Sequence, residues 1–215
     1  SSRLREATRQ ARALMAGLEV ALFLSPDAER ELASLRQMVA DLQPPTCTWL
    51  VFAQGEDVTD GQWVRLARHY LGDVEPTARF AGGTNAYFTQ LNRQRPAVAD
   101  LDAVAYSLNP QVHAFDNYSL VENLAGQEAT VDSARRFAEG RPLVISPVTL
   151  RPRFNPAATG PEPEPPAGEL PSQVDVRQMS LFGACWTLGS LKYLAESGAH
   201  SITYYETIGW RGVIE

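Results

Sequence analysis

The sequence predicts an α/β fold of the (β/α)8 TIM-barrel type, with about six of the eight parallel strands present in the chain. Three observations support this prediction. Short apolar segments alternate with helical segments along the whole chain. The apolar segments are hydrophobic throughout, as expected of strands covered on both faces. Polar residues follow nearly every strand, and no Gly-x-Gly-x-x-Gly segment marks the single switch point of a doubly wound sheet, which remains the alternative.

The first part of the chain alternates helices and strands. Leucine, alanine and arginine recur at helical spacing near the start, and Gly17 closes that helix. Pro44 and Pro45 end the second helix, and Asp60 is a suitable N-cap for the third. The predicted elements are helices over Leu4–Leu18, Ser25–Leu42 and Asp60–Leu71, with strands over Val20–Leu24 and Thr48–Ala53.

The second part continues the alternation, and its last strand is rich in β-branched and aromatic residues. Gly82 and Gly83 follow the third strand without the lysine of a phosphate loop, so we expect them to allow a tight turn at the strand end. The predicted strands are Ala78–Ala81, Ala103–Ser107, Leu143–Ser146 and Ile202–Tyr205, and the predicted helices are Thr130–Glu139 and Asp175–Glu196.

A segment rich in proline and glutamate interrupts the pattern over Arg151–Gln173. Its composition does not favour regular structure, so a flexible insertion is predicted over residues 155–173. The simpler interpretation of this segment is a solvated surface insertion. The alternative is a lid that covers the substrate.

Six strands cannot close an eight-stranded barrel. The chain also opens on a helix and stops just after a strand. We therefore expect residues 1–215 to form a single, partial barrel domain, with the remaining strands supplied by an N-terminal segment of the full protein.

Composition and charge exclude several classes of protein. The formal net charge is −6 and the isoelectric point is near 5.2, which disfavour a nucleic-acid partner. No apolar run has the length of a membrane span and no signal peptide is visible, so a cytoplasmic location without a membrane partner is predicted. Cys47 and Cys185 lack metal-ligand spacing and are predicted to be reduced residues of the core.

Four segments of the sequence carry a family resemblance. They read Gly-Gly-Thr-Asn-Ala-Tyr-Phe at 82–88, Ser-Leu-Asn-Pro-Gln-Val-His-Ala-Phe-Asp at 107–116 with Glu122, Ala-Cys-Trp-Thr-Leu-Gly-Ser-Leu-Lys-Tyr at 184–193, and Thr-Tyr-Tyr-Glu-Thr-Ile-Gly-Trp-Arg-Gly at 203–212. Together they resemble the D-apionolactonase family, bacterial enzymes of apiose catabolism built on a glycosidase-like TIM barrel. The similarity begins near Thr48 and fails mainly in the proline-rich segment. The family's proteins are much longer than this chain.

The resemblance implies hydrolysis of a sugar-acid lactone, D-apionolactone to D-apionate, without an organic cofactor. Lactone opening needs a base that activates water, donors for the oxyanion and an acid for the leaving alkoxide. Glu206, at the end of the last strand, is the predicted base or nucleophile. Its alternative role is an ion pair with Arg211 or Arg153. His113, the one histidine in a loop after a strand, is predicted to act in acid–base chemistry or to contact substrate, with loop packing as the alternative.

Five further residues are predicted to bind the substrate. Asn85 and Asn109 follow strands, and their amides could hold hydroxyl groups or satisfy the loop backbone. Asp116 could orient His113. A metal site formed by His113, Asp116 and Glu122 is the less favoured alternative, because the spacing of these residues is loose. Arg151 could contact substrate oxygens, and Trp210 could stack on a sugar ring, whereas the other tryptophans, Trp49, Trp63 and Trp186, are expected in the core.

The number and position of carboxylates at the strand ends distinguish a lactonase from a glycoside hydrolase. A retaining glycosidase with Glu206 as nucleophile needs a second carboxylate about 5–5.5 Å away. Gln54-Gly55-Glu56 ends a strand at a suitable place but does not match the Asn-Glu pair of such barrels, which favours the lactonase. A serine hydrolase is disfavoured because no Gly-x-Ser-x-Gly segment is present. The remaining alternative is a carbohydrate-binding barrel without activity.

Overall fold

The computed structural model of the chain describes residues 2–158, 160 and 164–214. Strands and helices alternate along most of it, as the sequence predicts. The strands are β1 (Leu18–Leu24), β2 (Thr46–Ala53), β3 (Arg79–Tyr87), β4 (Ala103–Leu108), β5 (Leu143–Val148), β6 (Ser201–Tyr204), β7 (Glu206–Ile208) and β8 (Gly212–Ile214). The helices are α1 (Ser2–Leu14), α2 (Ala28–Leu42), α3 (Gly61–Leu71), α4 (Phe88–Arg93), α5 (Asn117–Arg135) and α6 (Leu181–Glu196), and single 3₁₀ turns cover Val98–Asp100 and Val176–Met179.

Six strands form one sheet, in which each strand lies beside its neighbour in the sequence. The order is β1-β2-β3-β4-β5-β6, and β7 and β8 form a separate two-stranded sheet. The parallel register places Val20 opposite Trp49 in β1 and β2, and Ile145 opposite Ile202 in β5 and β6. A sheet of six parallel strands with alternating helices is the pattern of a partial (β/α)8 barrel, so the predicted fold class is confirmed.

The chain divides into two compact units. The first comprises Ser1–Asn85 and Gln94–Ala105. Its core is formed by β2 and β3 under α2 and α3, and Trp49, Phe80 and Leu32 are almost completely buried there. Burial of large apolar side chains of this kind stabilises a unit by about 1.5–3 kcal/mol for each side chain.

β3 is longer than the sequence predicts. The tight turn expected at Gly82 and Gly83 is absent, because both residues lie inside the strand. Gly83 has a φ of +146°, and a Cβ at this position would overlap the carbonyl oxygen of Ala105 in β4. The glycine therefore permits a close approach between two strand backbones, and the prediction of a strand-end loop at this position is wrong.

The second unit comprises Ala86–Arg93 and Tyr106–Glu215. Tyr106, Ile145 and Trp186 are buried in its core. The indole N–H of Trp186 in α6 donates a hydrogen bond of 3.0 Å to the carbonyl oxygen of Leu120 in α5. Trp186 is thus a core residue, as predicted, and so is Trp49 in the first unit.

Two predicted helices have different bounds in the structure. α5 begins at Asn117, well before the predicted Thr130, because the Asp116 carboxylate caps it by accepting from Ser119 N at 2.9 Å. The predicted helix from Asp175 is a 3₁₀ turn followed by α6, which starts after its own cap, Ser180.

The remaining predictions concern the insertion and the cysteines. Part of the predicted flexible insertion, Thr159 and residues 161–163, lies outside the described residues. Cys47 lies in β2 and Cys185 in α6, and both thiols are free and exposed, so their placement in the core is wrong. In the part of the chain that the structure describes, no helix has the length and apolar character needed to cross a membrane.

Candidate active site

The carboxyl ends of β4, β5 and β6 lie side by side in the second unit. Thr149 N, just after β5, donates to Leu108 O at the end of β4 over 3.0 Å. Tyr205 N, just after β6, donates to Val148 O at the end of β5 over 3.1 Å. The three loops that follow these strands therefore start next to one another, at the edge where enzymes of the barrel class carry their sites.

A cleft of about 570 Å³ opens between the loops that follow β4 and β5, within the size range of sites for small molecules. It contains two of the residues predicted from the sequence, His113 and Arg151. Its walls are mainly apolar and aromatic, and none of the lining residues is acidic. They are Tyr87, Val112, His113, Phe115, Arg151, Pro152, Phe154, Asn155, Pro156, Ala157 and Ser172.

His113 is exposed in the cleft, and its imidazole forms no hydrogen bond with any residue that the structure describes. Both ring nitrogens can reach a bound molecule, since neither is occupied by the protein.

The guanidinium of Arg151 lies partly buried in the cleft wall. Its Nη1 donates to Ser172 O at 3.3 Å, and the group sits over the ring of Phe115 at 5.7 Å from the ring centre. Its Nε is buried without a hydrogen-bond partner among the described residues. That buried atom lies 3.6 Å from Asp175 Oδ2, so the donors of Arg151 that remain for a ligand are on its terminal nitrogens.

The other predicted polar residues have different surroundings. Asn109, half-buried just after β4, has a buried Oδ1 without a hydrogen-bond partner in the described part of the chain. Asn85 lies inside β3 in the first compact unit and does not follow a strand. Both carboxylate oxygens of Asp116 are occupied at the start of α5, because Oδ1 accepts from Ser119 N at 2.9 Å and Oδ2 from Ser119 Oγ at 2.8 Å. These hydrogen bonds lower the pKa of Asp116.

Glu206 is the first residue of β7, directly after the end of β6. Its carboxylate forms an ion pair of 2.8 Å with Arg211, and its side chain is 48% exposed. Trp210, in the turn between β7 and β8, is 60% exposed. Burial and the nearby charge of Arg211 lower the pKa of Arg153 to about 10, against a smaller, opposite effect of Glu206. The alternative interpretation of Glu206, an ion pair with Arg211, is thus present in the structure.

Glu56 does not present a free carboxylate. Its Oε2 accepts from Asp60 N at 3.0 Å, and its Oε1 accepts from the indole N–H of Trp63 at 2.7 Å. Glu56 therefore fixes the start of α3 together with the N-cap residue. These contacts explain why a glutamate follows β2 without invoking catalysis.

A buried charged network holds the cleft loops together, and the sequence did not reveal it. Asp175 and Gln111 are both buried. The Asp175 carboxylate accepts from Arg177 Nε at 2.9 Å, from Arg177 Nη2 at 2.7 Å and from Gln111 Nε2 at 2.7 Å. Gln111 Nε2 also donates to Leu150 O at 2.8 Å, so the amide links the loop after β4 to the end of β5.

Arg177 forms hydrogen bonds that hold the loop containing His113 in place. Its Nη1 donates to Phe115 O at 2.9 Å and to Asn117 Oδ1 at 2.8 Å, and its Nη2 donates to Gln111 Oε1 at 2.9 Å. The loop is therefore fixed on both sides of His113. Desolvation acts to raise the pKa of Asp175, but the hydrogen bonds from Arg177 and Gln111 outweigh it and hold that pKa well below its ordinary value.

No group of three or more His, Cys, Asp or Glu residues among those described is placed to hold a metal ion. The ionisable side chains that line the cleft are the imidazole of His113 and the guanidinium of Arg151. These groups suit proton transfer and the stabilisation of negative charge.

The fold defines a protein of the barrel class, with a cleft at the carboxyl ends of its strands. The model of one family, described as D-apionate lactonase, TIM barrel domain, matches residues 1–215. The chain belongs to this family, and the resemblance identified from the sequence motifs is confirmed.

A curated relative agrees with this assignment. The chain is 30% identical over 129 residues to a D-apionate lactonase of Brucella anthropi, an alignment that covers 60% of the chain and 21% of the relative. It therefore spans about a fifth of that protein's length.

Two solved structures share the fold at low sequence identity. An endo-β-1,4-mannanase of Thermotoga petrophila has a TM-score of 0.57 at 11% identity, covering 94% of this chain and 51% of the mannanase. A β-glucuronidase of Ruminococcus gnavus has a TM-score of 0.50 at 10% identity, covering 88% of this chain and 31% of that one. At these identities the likeness shows the fold alone.

Proposed function

We propose that the chain is part of a hydrolase that opens a sugar-acid lactone of the D-apionolactone type and releases the open hydroxy acid. The observation that carries this proposal is the match of the whole chain to the D-apionate lactonase barrel domain. The cleft supports it, because it combines a free imidazole and a guanidinium with aromatic walls suited to a small polyhydroxylated ring.

In the proposed reaction, water adds to the lactone carbonyl carbon, the ring C–O bond breaks, and the released alkoxide takes up a proton. Glu206 is proposed as the base that removes a proton from the attacking water. His113 is proposed as the acid that protonates the alkoxide. Arg151 is proposed to donate hydrogen bonds to the oxyanion, and Trp210, Asn109 and Asp116 keep their predicted roles in binding as hypotheses.

The experiment that tests this function is D-apionolactone hydrolysis by the full-length protein, followed as acid release at constant pH, beside a panel of aryl glycosides. Turnover of the lactone without cleavage of the glycosides is expected. Cleavage of glycosides with no lactone turnover would replace the proposal by a glycosidase. No observation favours that second function, since Glu56 is bonded to the start of α3.

His113→Asn is expected to lower kcat for the lactone by about 100-fold or more, since an amide cannot take part in proton transfer. His69→Asn is the matched control, because His69 is exposed in α3 and packs only edge-on against Tyr70 among its ring contacts. Steady-state rates of the two variants are compared with the unmodified protein. Equal kcat values for His113→Asn and His69→Asn would remove His113 from the mechanism.

Glu206→Gln is expected to lower kcat by at least about 100-fold if the carboxylate acts as the base. The variant also breaks the ion pair with Arg211, so Arg211→Gln serves as the control for that loss. If Glu206 is the base, Glu206→Gln should be far less active than Arg211→Gln. Equal rates in the two variants would assign the carboxylate to the ion pair.

A further inference from the structure

The cleft carries positive charge that the network around it does not balance. Arg151 and Arg177 both approach the same carboxylate, that of Asp175. Its oxygens accept two hydrogen bonds from Arg177 and one from Gln111, all of 2.9 Å or less. Arg151 Nε lies 3.6 Å from Asp175 Oδ2, beyond hydrogen-bonding distance. The two guanidiniums therefore share one carboxylate, which is hydrogen-bonded to Arg177 and balances only one of the two positive charges.

No other carboxylate in the cleft offsets the charge of Arg151. The lining residues include no aspartate and no glutamate. Asp116 acts on Arg177, whose pKa is raised chiefly by its hydrogen bond to Asp175 and to a smaller extent by Asp116. That carboxylate is exposed to solvent and bonded to Ser119.

The remaining contacts of Arg151 leave its charge available to a ligand. One N–H of the Arg151 guanidinium donates to the Ser172 carbonyl, and the guanidinium lies over the ring of Phe115. Within the described residues the other terminal nitrogen, Nη2, makes no hydrogen bond. A guanidinium fixed in this way presents a planar pair of donors, which matches the geometry of a carboxylate.

We infer that Arg151 forms a carboxylate-binding subsite in the cleft, so that the protein binds the ionised open sugar acid more tightly than a neutral sugar of the same size. The inference rests on the proposed function for the identity of the acid and deepens it. A carboxylate is the charged group that lactone opening creates. The enzyme is thus expected to be inhibited by its own product, in competition with the neutral lactone.

The test is calorimetric titration of the full-length protein with two probes, D-apionate and the neutral alditol with the same carbon skeleton. The unmodified protein is expected to bind D-apionate about 10- to 100-fold more tightly, as a charge-assisted hydrogen-bond pair provides. Arg151→Gln is expected to bind both probes with equal affinity, whereas Arg151→Lys keeps the charge and therefore part of the preference.

Arg30→Gln is the control, because Arg30 forms an exposed pair with Asp27 in the first unit. It should keep the full preference for D-apionate. Equal affinity of the unmodified protein for both probes, or an unchanged preference in Arg151→Gln, would overturn the inference. The titration measures binding and does not depend on turnover. If the protein does not hydrolyse the lactone but still prefers D-apionate through Arg151, the proposed function is contradicted and the subsite is supported.

Discussion

Asp175→Asn is expected to lower the free energy of unfolding by about 3–5 kcal/mol, the range for breaking a buried ion pair by removing one partner. Asp175 is buried and accepts from both Arg177 and Gln111, so the variant leaves the Arg177 charge without its counter-ion in a desolvated place. An asparagine of the same shape also offers N–H groups where Arg177 already donates. Denaturant unfolding of the full-length protein, monitored by fluorescence, measures the change.

The effect should depend on pH in a defined direction. The folded pKa of Asp175 lies below its unfolded value, so its contribution to stability is complete above the unfolded pKa of about 3.9 and is lost as the pH falls below that value. The stability difference between the unmodified protein and Asp175→Asn should therefore be constant from pH 7 to pH 5 and shrink in more acidic solution.

Asp132→Asn is the matched control for a carboxylate that pairs with arginine at the surface. Asp132 and Arg135 form an ion pair of 2.7 Å within α5, and each side chain is 50% exposed. Such pairs contribute about 0–1 kcal/mol. A loss in Asp175→Asn no larger than the loss in Asp132→Asn would show that the network contributes nothing beyond surface charge.

Gly83→Ala is expected to destabilise the protein by about 3 kcal/mol or more, since it adds steric overlap to an unfavourable backbone conformation. The new Cβ would collide with the backbone of Ala105, which cannot move without disturbing β4. The φ of +146° at this residue disfavours any side chain. The midpoint of thermal unfolding of the full-length protein measures the loss.

Gly126→Ala provides a control of opposite sign. Gly126 lies inside α5, and a Cβ there would have nothing within 4 Å. Alanine is favoured over glycine in a helix interior by about 1 kcal/mol, so this variant should be more stable than the unmodified protein. Similar losses in both variants would mean that glycine-specific backbone conformation at residue 83 is not what the strand requires.

The elements that the sequence predicted well are those whose signal is local. β2 is a continuous run of apolar and β-branched residues and was placed nearly to its ends, Thr48–Ala53 against Thr46–Ala53. α5 was largely missed, because its first half carries a glycine and scattered polar residues. Its start is set by the Asp116 carboxylate, which accepts from Ser119 N, and the sequence analysis did not predict this cap. The predicted third strand ended too early because glycine usually marks a turn. In the structure, Gly83 lies inside β3 and allows the backbone of β4 to approach closely.

The candidate site was predicted in part for a similar reason. His113 and Arg151 follow strands, and residues after parallel strands share one edge of the sheet, so their common cleft follows from topology. The network of Asp175, Arg177 and Gln111 joins residues up to 66 positions apart. Such contacts depend on how the loops fold, and no spacing in the sequence encodes them. From the sequence, Asp175 was predicted only to begin a helix. That prediction gives no indication that its carboxylate is buried.

The sequential strand order has a consequence for how the protein is made. Since each strand of the sheet β1 to β6 lies beside the one synthesised just before it, every strand that leaves the ribosome finds a partner already present. Pairing strands that are neighbours in the sequence costs less chain entropy than pairing strands that are far apart in it. Assembly can therefore advance strand by strand during translation, with the newest strand forming one edge of the growing sheet.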